Sequence, residues 1–145
     1  MFKTIVVPLD GSPLSEQVLP KAAELAKCFP DAKFVLLEVI KPMTPSVVDA
    51  LVFSNSSEVE TLTPEEAMEY LRRVAAKYFP GMHLRIMAEE GGAAEIILQT
   101  AKDVKADLIA MASHGRSGVA RLTLGSVTDR VINHTDIPVL VVKTK

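Results

Sequence analysis

The residues able to do chemistry lie mostly in one stretch, Met111-Ala-Ser-His-Gly-Arg-Ser-Gly-Val-Ala-Arg-Leu-Thr-Leu-Gly-Ser-Val-Thr128. An apolar run ends there in small and polar residues. Gly115 and Gly118 flank Arg116 and Ser117, and Gly125-Ser126 opens a predicted helix. Amides freed by glycine, hydroxyls, an arginine and a helix N-terminus together suit a phosphate-sized anion. A flexible connection that needs only glycine's φ freedom is the plainer account of the same residues. A second candidate is Asp10-Gly11-Ser12, which closes the apolar run Ile5-Val-Val-Pro-Leu9. A carboxylate there could accept hydrogen bonds from a ribose or a base amine, or it could simply make an Asx turn. His114 is either a phosphate donor or a loop histidine bonded to backbone. Ser126 could cap its own helix with no ligand present, and Arg116 and Arg121 could be plain surface charges.

Other chemistries fit poorly. There is no G-x-x-x-x-G-K-[ST] loop and no G-x-G-x-x-G after the first strand. No G-x-S-x-G elbow marks a serine hydrolase. His83, His114 and His134 lack metal-ligand spacing, and with Cys28 as the one cysteine a structural zinc site is not expected. Glu89-Glu90 could pair as catalytic carboxylates, but adjacent acids at a strand end read as solvated charge. No general base or nucleophile stands out.

The elements that must position these residues alternate. Strands are predicted at Ile5-Val-Val-Pro-Leu9, Phe34-Val-Leu-Leu-Glu-Val-Ile40, His83-Leu-Arg-Ile-Met-Ala88, Asp107-Leu-Ile-Ala-Met-Ala112 and Ile137-Pro-Val-Leu-Val-Val142. Pro8 cannot donate to a ladder and belongs near its strand's end. His83 and Arg85 suggest that the third strand is an edge. The first helix is expected to start with Ser12 as cap and Pro13 as first residue, burying Leu14, Val18, Ala22, Leu25 and Ala26. Thr63-Pro64-Glu65-Glu66 spells a capping box, followed by a stripe of Leu71, Val74, Ala75 and Tyr78. A third helix, 93–104, turns Ala94, Ile97, Leu98 and Ala101 inward after Gly91-Gly92. Gly125 or Ser126 caps a last helix, with Asp129 completing a capping box. Residues 41–62 are the least regular, with a short helix predicted at 47–53. Phe29-Pro30 and Phe79-Pro80 each close a helix before a strand. Five alternations of strand and helix predict one α/β domain over 1–145: a doubly wound, mostly parallel sheet covered on both faces. Ligands in such sheets bind beyond the carboxyl ends of the strands, where the strand order reverses. If the first and fourth strands are neighbours there, Asp10 and the glycine stretch face one crevice and describe a nucleotide site.

Bulk properties narrow the partners. The chain has 145 residues, 48% of them apolar, enough for one globular domain with its own core. A net charge of −2 offers no basic field for nucleic acid or a membrane surface. No apolar run reaches transmembrane length. The start Met-Phe-Lys-Thr-Ile-Val-Val lacks signal-peptide layout, and the lone Cys28 suits a reducing compartment. A cytoplasmic protein is expected, with Cys28 packed as a small core residue near a helix end.

The residues resemble the universal stress protein family over essentially the whole chain. Ile5-Val-Val-Pro-Leu-Asp-Gly-Ser12 looks like its first strand and turn. Ser113-His-Gly-Arg-Ser-Gly118 with Leu124-Gly-Ser-Val127 looks like its nucleotide loop, and Ile137-Pro-Val-Leu-Val-Val142 like its closing strand. The resemblance implies five strands in the order 3-2-1-4-5, so that the first and fourth are neighbours. The nucleotide-binding branch carries G-x2-G-x9-G-[ST]. Gly115 and Gly125-Ser126 match with nine residues between them, but Ala112 stands where the first glycine belongs. If that position needs positive φ, alanine costs roughly 1–2 kcal/mol; if it needs only close approach, a methyl crowds the ligand.

By the same resemblance Asp10 and Val39 border the adenine and ribose, with Pro8 in the same site. Met111 and Ala112 line the nucleoside. His114, Gly115, Arg116, Gly125, Ser126 and Val127 approach the phosphates of an ATP that carries Mg²⁺ or Mn²⁺ on its own phosphate oxygens. The closing strand is implied to pair with its twin in a homodimer, which suits an apolar terminal strand. The leading expectation is an ATP-binding stress sensor or switch, with at most slow ATP hydrolysis. The alternative, pointed to by Ala112, is a dimeric protein–protein interaction module that binds no nucleotide. A third reading is a hydrolase acting on another phosphorylated metabolite.

Overall fold

Five parallel strands form the centre of the molecule: β1 (Thr4–Leu9), β2 (Lys33–Ile40), β3 (Leu84–Glu90), β4 (Leu108–Ala112) and β5 (Val139–Val142). The computed structural model describes residues 1–42, 45, 46, 49, 52, 62–115 and 124–145. The strand order is β3-β2-β1-β4-β5, and every pairing is parallel. β3, with its exposed Arg85, is an edge as expected. The helices between strands are α1 (Leu19–Cys28), α2 (Pro64–Tyr78), α3 (Ala93–Asp103) and α4 (Ser126–Asn133).

Alternation along the strands divides the core in two. Ile5, Val7, Leu9, Phe34, Leu36, Leu108 and Ala110 face α1 and α2, where they meet Leu19, Ala22, Leu71 and Val74. Val6, Val35, Leu37, Ile109 and Met111 face α3 and α4, where they meet Ala94, Ile97, Ala101 and Val131. A strand buried on both faces has no polar side, which is why β1 and β4 read as unbroken apolar runs. The molecule is thus a doubly wound α/β domain.

Local chemistry set most helix ends as expected. The Thr63 side chain accepts from the Glu66 N–H at 3.2 Å while the Glu66 carboxylate accepts the Thr63 N–H at 2.8 Å, a complete capping box. Phe29 and Phe79 close α1 and α2 alike, at φ −126° and −130°, each donating its N–H to the carbonyl four residues earlier. The proline after each keeps it out of the α region.

Four expectations need correction. The α-helix does not begin at Ser12-Pro13. Residues Ser15–Val18 form a 3-10 turn first, and the Leu19 N–H bonds to Glu16. The reason is Pro20, which has no N–H to close an α-type bond; Ser12 still caps the turn through its Oγ, which accepts from the Ser15 N–H at 3.2 Å. Cys28 is exposed rather than core, because the buried stripe of α1 passes through Leu19, Ala22 and Ala26 and leaves position 28 on the outer side. The cap of α4 is Gly125, which has no side chain to offer; Ser126 is the first helical residue, so the proposed box with Asp129 does not form. The closing strand is Val139–Val142, shorter than expected, since Pro138 can offer only its carbonyl, which accepts from Ile109 at 3.0 Å. Of the short helix expected at 47–53, residues 49 and 52 are helical, as are 45 and 46 just before it; the other positions lie outside the described residues.

Candidate functional site

The sheet splits where the strand order reverses. β1 stays paired with β2 through Leu9 and Glu38, but its pairing with β4 ends at Val6 and Ile109. Pro8 accounts for this. The Thr4 carbonyl accepts from Asp107 on the β4 side, while the Lys3 carbonyl accepts from Lys33 on the β2 side. Peptide groups alternate along a strand, so Thr4, Val6 and Pro8 face β4. At Pro8 there is no N–H to continue that ladder, and the two strands part.

The parted ends hold the expected residues. Asp10 sits in a turn whose Gly11 takes φ 79°, a left-handed conformation that glycine permits. Asp10 Oδ1 accepts the Ser12 N–H at 2.9 Å, and the Asp10 N–H donates to Ser15 Oγ at 3.2 Å. This is the Asx turn, and it aims the other oxygen across the split. A Cβ built on Gly115 would collide with that oxygen, Asp10 Oδ2, and lie 3.3 Å from its Cγ. Gly115 is therefore needed for close approach.

Gly125 is needed for the same reason against backbone. A Cβ there would come within 2.9 Å of the Ser113 carbonyl and 3.3 Å of His114 Cα. The Gly125 N–H donates to that Ser113 carbonyl at 2.7 Å, so it is not a free donor. The open amides at the start of α4 belong to the first helical residues, Ser126 and Val127. Thr128, buried, donates from Oγ1 to the Ala112 carbonyl at 2.9 Å and ties α4 to the end of β4.

Ala112 itself has ordinary extended backbone. It pairs with Val142, and among the described residues Lys105 is the one non-glycine with positive φ. The strained-backbone reading of this position therefore falls away. Its methyl belongs to the core facing α1 and α2, whereas Met111 packs on the opposite face. Pro8 is buried at the penultimate position of β1, and Val39 is half-buried on β2. Arg116, with Ser117, Gly118 and Arg121, lies outside the described residues.

Sequence reasoning missed two groups. One joins His114 to the C-terminus: Ser113 Oγ, His114 Nδ1 and Thr144 Oγ1 lie 3.0–3.2 Å apart, and the Thr144 N–H donates to Ser113 Oγ at 3.0 Å. His114 Nε2 is buried and has no hydrogen-bond partner. No motif announces Thr144. The other is acidic. Tyr70 donates to Glu16 Oε1 at 2.8 Å, and burial, this bond, and the charges of Glu16, Glu38 and Asp10 push its hydroxyl well above the ordinary tyrosine range. Glu38 is 1% exposed. A charge inside the apolar run of the second strand was the available signal for it.

A doubly wound domain with a split between its central strands, one glycine against a carboxylate and another against backbone, defines the class of protein. The chain matches the model of the universal stress protein family over residues 1–143. It belongs to that family. Universal stress protein MJ0531 of Methanocaldococcus jannaschii is 37% identical over 147 residues, covering 99% of this chain and 83% of that protein. The structure of MJ0577, from the same organism, superposes with a TM-score of 0.81 at 31% identity, covering 100% of this chain and 98% of that one. A universal stress protein family protein from Arabidopsis thaliana, solved with AMP bound, shares the fold at 18% identity and a TM-score of 0.66, covering 99% of this chain and 92% of that one.

Proposed function

We propose that this chain binds ATP in the crevice between β1 and β4 and acts as a stress-response sensor or switch. The observation that carries the reading is the convergence of Asp10 and Gly115 across the strand split. An acceptor stands there against a residue that has no side chain of its own. In this reading Pro8, Asp10 and Val39 border the adenine and ribose, and Met111 and Ala112 line the nucleoside. Gly115 lets the phosphates approach, Gly125 shapes the junction, and the open amides of Ser126 and Val127 face them at the N-terminus of α4. His114 Nε2 and Arg116 supply further donors. The AMP-bound relative supports the adenine nucleotide.

A Mg²⁺ or Mn²⁺ would be held mainly by the nucleotide's own phosphate oxygens. Slow hydrolysis of bound ATP belongs to the same reading. So does a homodimer through 137–142, supported by the edge position of β5 and its exposed Leu140. A cytoplasmic setting is supported by the free thiol of Cys28. Among the described residues no helix is long and apolar enough to cross a membrane, and the net charge of −2 speaks against nucleic acid as a partner.

Calorimetry with Mg-ATP on protein stripped of ligand tests this. Saturable binding is expected, and none at millimolar nucleotide would overturn it. The break in the glycine pattern at Ala112 is the sequence feature behind a second reading, a dimeric interaction module without nucleotide. Mass spectrometry of the purified protein separates the two, because only the first carries adenine nucleotide with it.

A further inference from the structure

The opposite end of the sheet, where the strands begin, carries a groove of about 410 Å³ whose walls include Thr4, Lys33, Val35, His83, Arg85 and Val104. The register explains the grouping. Val35 pairs with Arg85 in the β2–β3 ladder. Lys33 lies two residues before Val35, and His83 two before Arg85, so all four share one face. Val35 also belongs to the core beneath α3, and Val104 caps that helix, so the groove has an apolar floor and wall. Lys33, His83 and Arg85 are exposed above it.

Among the described residues none of the three is neutralised. Among the described residues, the ion pairs join Lys21 to Glu24, Arg72 to Glu69 and Arg130 to Glu95. Among the described residues no carboxylate lines the groove. Asp107, beside Thr4 in space, spends its oxygens on the Lys3 and Thr4 N–H groups at 2.8–3.2 Å. Asp103 accepts from Gln99 at 2.7 Å, and Asp31 is outside the lining. Basic residues side by side on neighbouring strands repel one another, and among the described residues no ion pair offsets the repulsion.

We propose that this groove binds a small phosphate monoester with a compact apolar body. The Arg85 fork, the Lys33 ammonium and the His83 ring can surround a tetrahedral oxyanion, with Thr4 as a hydroxyl donor. Val104, half-buried beside them, takes the apolar part, and the volume is that of a small-molecule site. The crevice between β1 and β4 lies at the other end of β1, roughly 20 Å away at 3.3 Å per residue, so the two sites are separate.

The test is an amide chemical-shift titration at about 0.15 M ionic strength, with phenyl phosphate and with inorganic phosphate as probes. Saturable shifts at Thr4, Val35 and Arg85 are expected, stronger with phenyl phosphate. The double reversal Lys33→Glu with Arg85→Glu should weaken binding by about tenfold or more, while Lys33→Arg with Arg85→Lys largely retains it. Both positions are exposed, so folding is not at stake. Shifts that rise linearly without saturating, shifts that charge reversal leaves unchanged, or shifts confined to Gly115 and Ser126 would each overturn the proposal. The last pattern would report the crevice instead.

Discussion

Asp10 Oδ2 occupies the space where a Cβ on Gly115 would stand. The two residues are 105 positions apart in the chain, yet a side chain at 115 would have to displace the carboxylate at 10. Asp10 is held by the Ser12 N–H, so its carboxylate is aimed rather than loose. Gly115→Val must push that carboxylate aside. Binding of Mg-ATP by calorimetry is expected to fall by about tenfold or more, the cost of misplacing one aimed polar group. Far-ultraviolet circular dichroism should stay as in the parent protein.

Gly125→Val should behave differently. Its Cβ would meet backbone, the Ser113 carbonyl at 2.9 Å, and backbone has nowhere to rotate. The junction of β4 and α4 must shift, at a cost of about 1–3 kcal/mol. Urea denaturation should show that loss of stability along with the loss of nucleotide. An unchanged midpoint would mean that the junction is softer than its geometry implies.

Ala112→Gly separates pattern from physics. The backbone there is extended, so a glycine relieves no strain, and the methyl it removes sits in the core. Affinity for Mg-ATP is expected to stay within about twofold, while stability drops by about 0.5–1 kcal/mol. Marked tightening by calorimetry would show that the methyl does crowd the ligand.

Tyr70 predicts the alkaline limit. Its hydroxyl is held neutral by burial and by the carboxylate of Glu16, so its folded pKa lies above the unfolded value near 10. A raised pKa gives stability that is complete below the unfolded value. It is lost as pH climbs from there toward the folded value, because the unfolded state releases the proton first. Tyr70→Phe should flatten this decline in chemical denaturation between about pH 9 and 11. Equal slopes in both proteins would remove Tyr70 from the account.

These elements also show what a sequence makes legible. The capping box at Thr63 and Glu66 is local, and local chemistry is printed in order along the chain. The apolar runs of β1 and β4 give away a sheet covered on both sides. Pro20, with no N–H to give, turns the start of the first helix into a 3-10 turn, which the Ser12-Pro13 signal does not show. Cys28 was misplaced because composition says how often a cysteine is buried, whereas only the phase of α1 says which way this one points. The crevice was half legible: Asp10 and the glycines announce themselves, but their contact depends on two strands parting at Pro8. Thr144 enters through distances across the fold, which no spacing encodes, while Glu38 is announced only as a charge inside an apolar run.

Pro8 has one more consequence. The gap between β1 and β4 is written into covalent structure, since an imide nitrogen carries no hydrogen to give. No rotamer change or thermal fluctuation can zip the strands shut at that point. A guest arriving there has no ladder to unfasten, and one departing leaves no strand edge hunting for its mate. Exchange in and out of this cleft should therefore run at the pace of the visitor's own contacts, with the sheet as a fixed frame rather than a door.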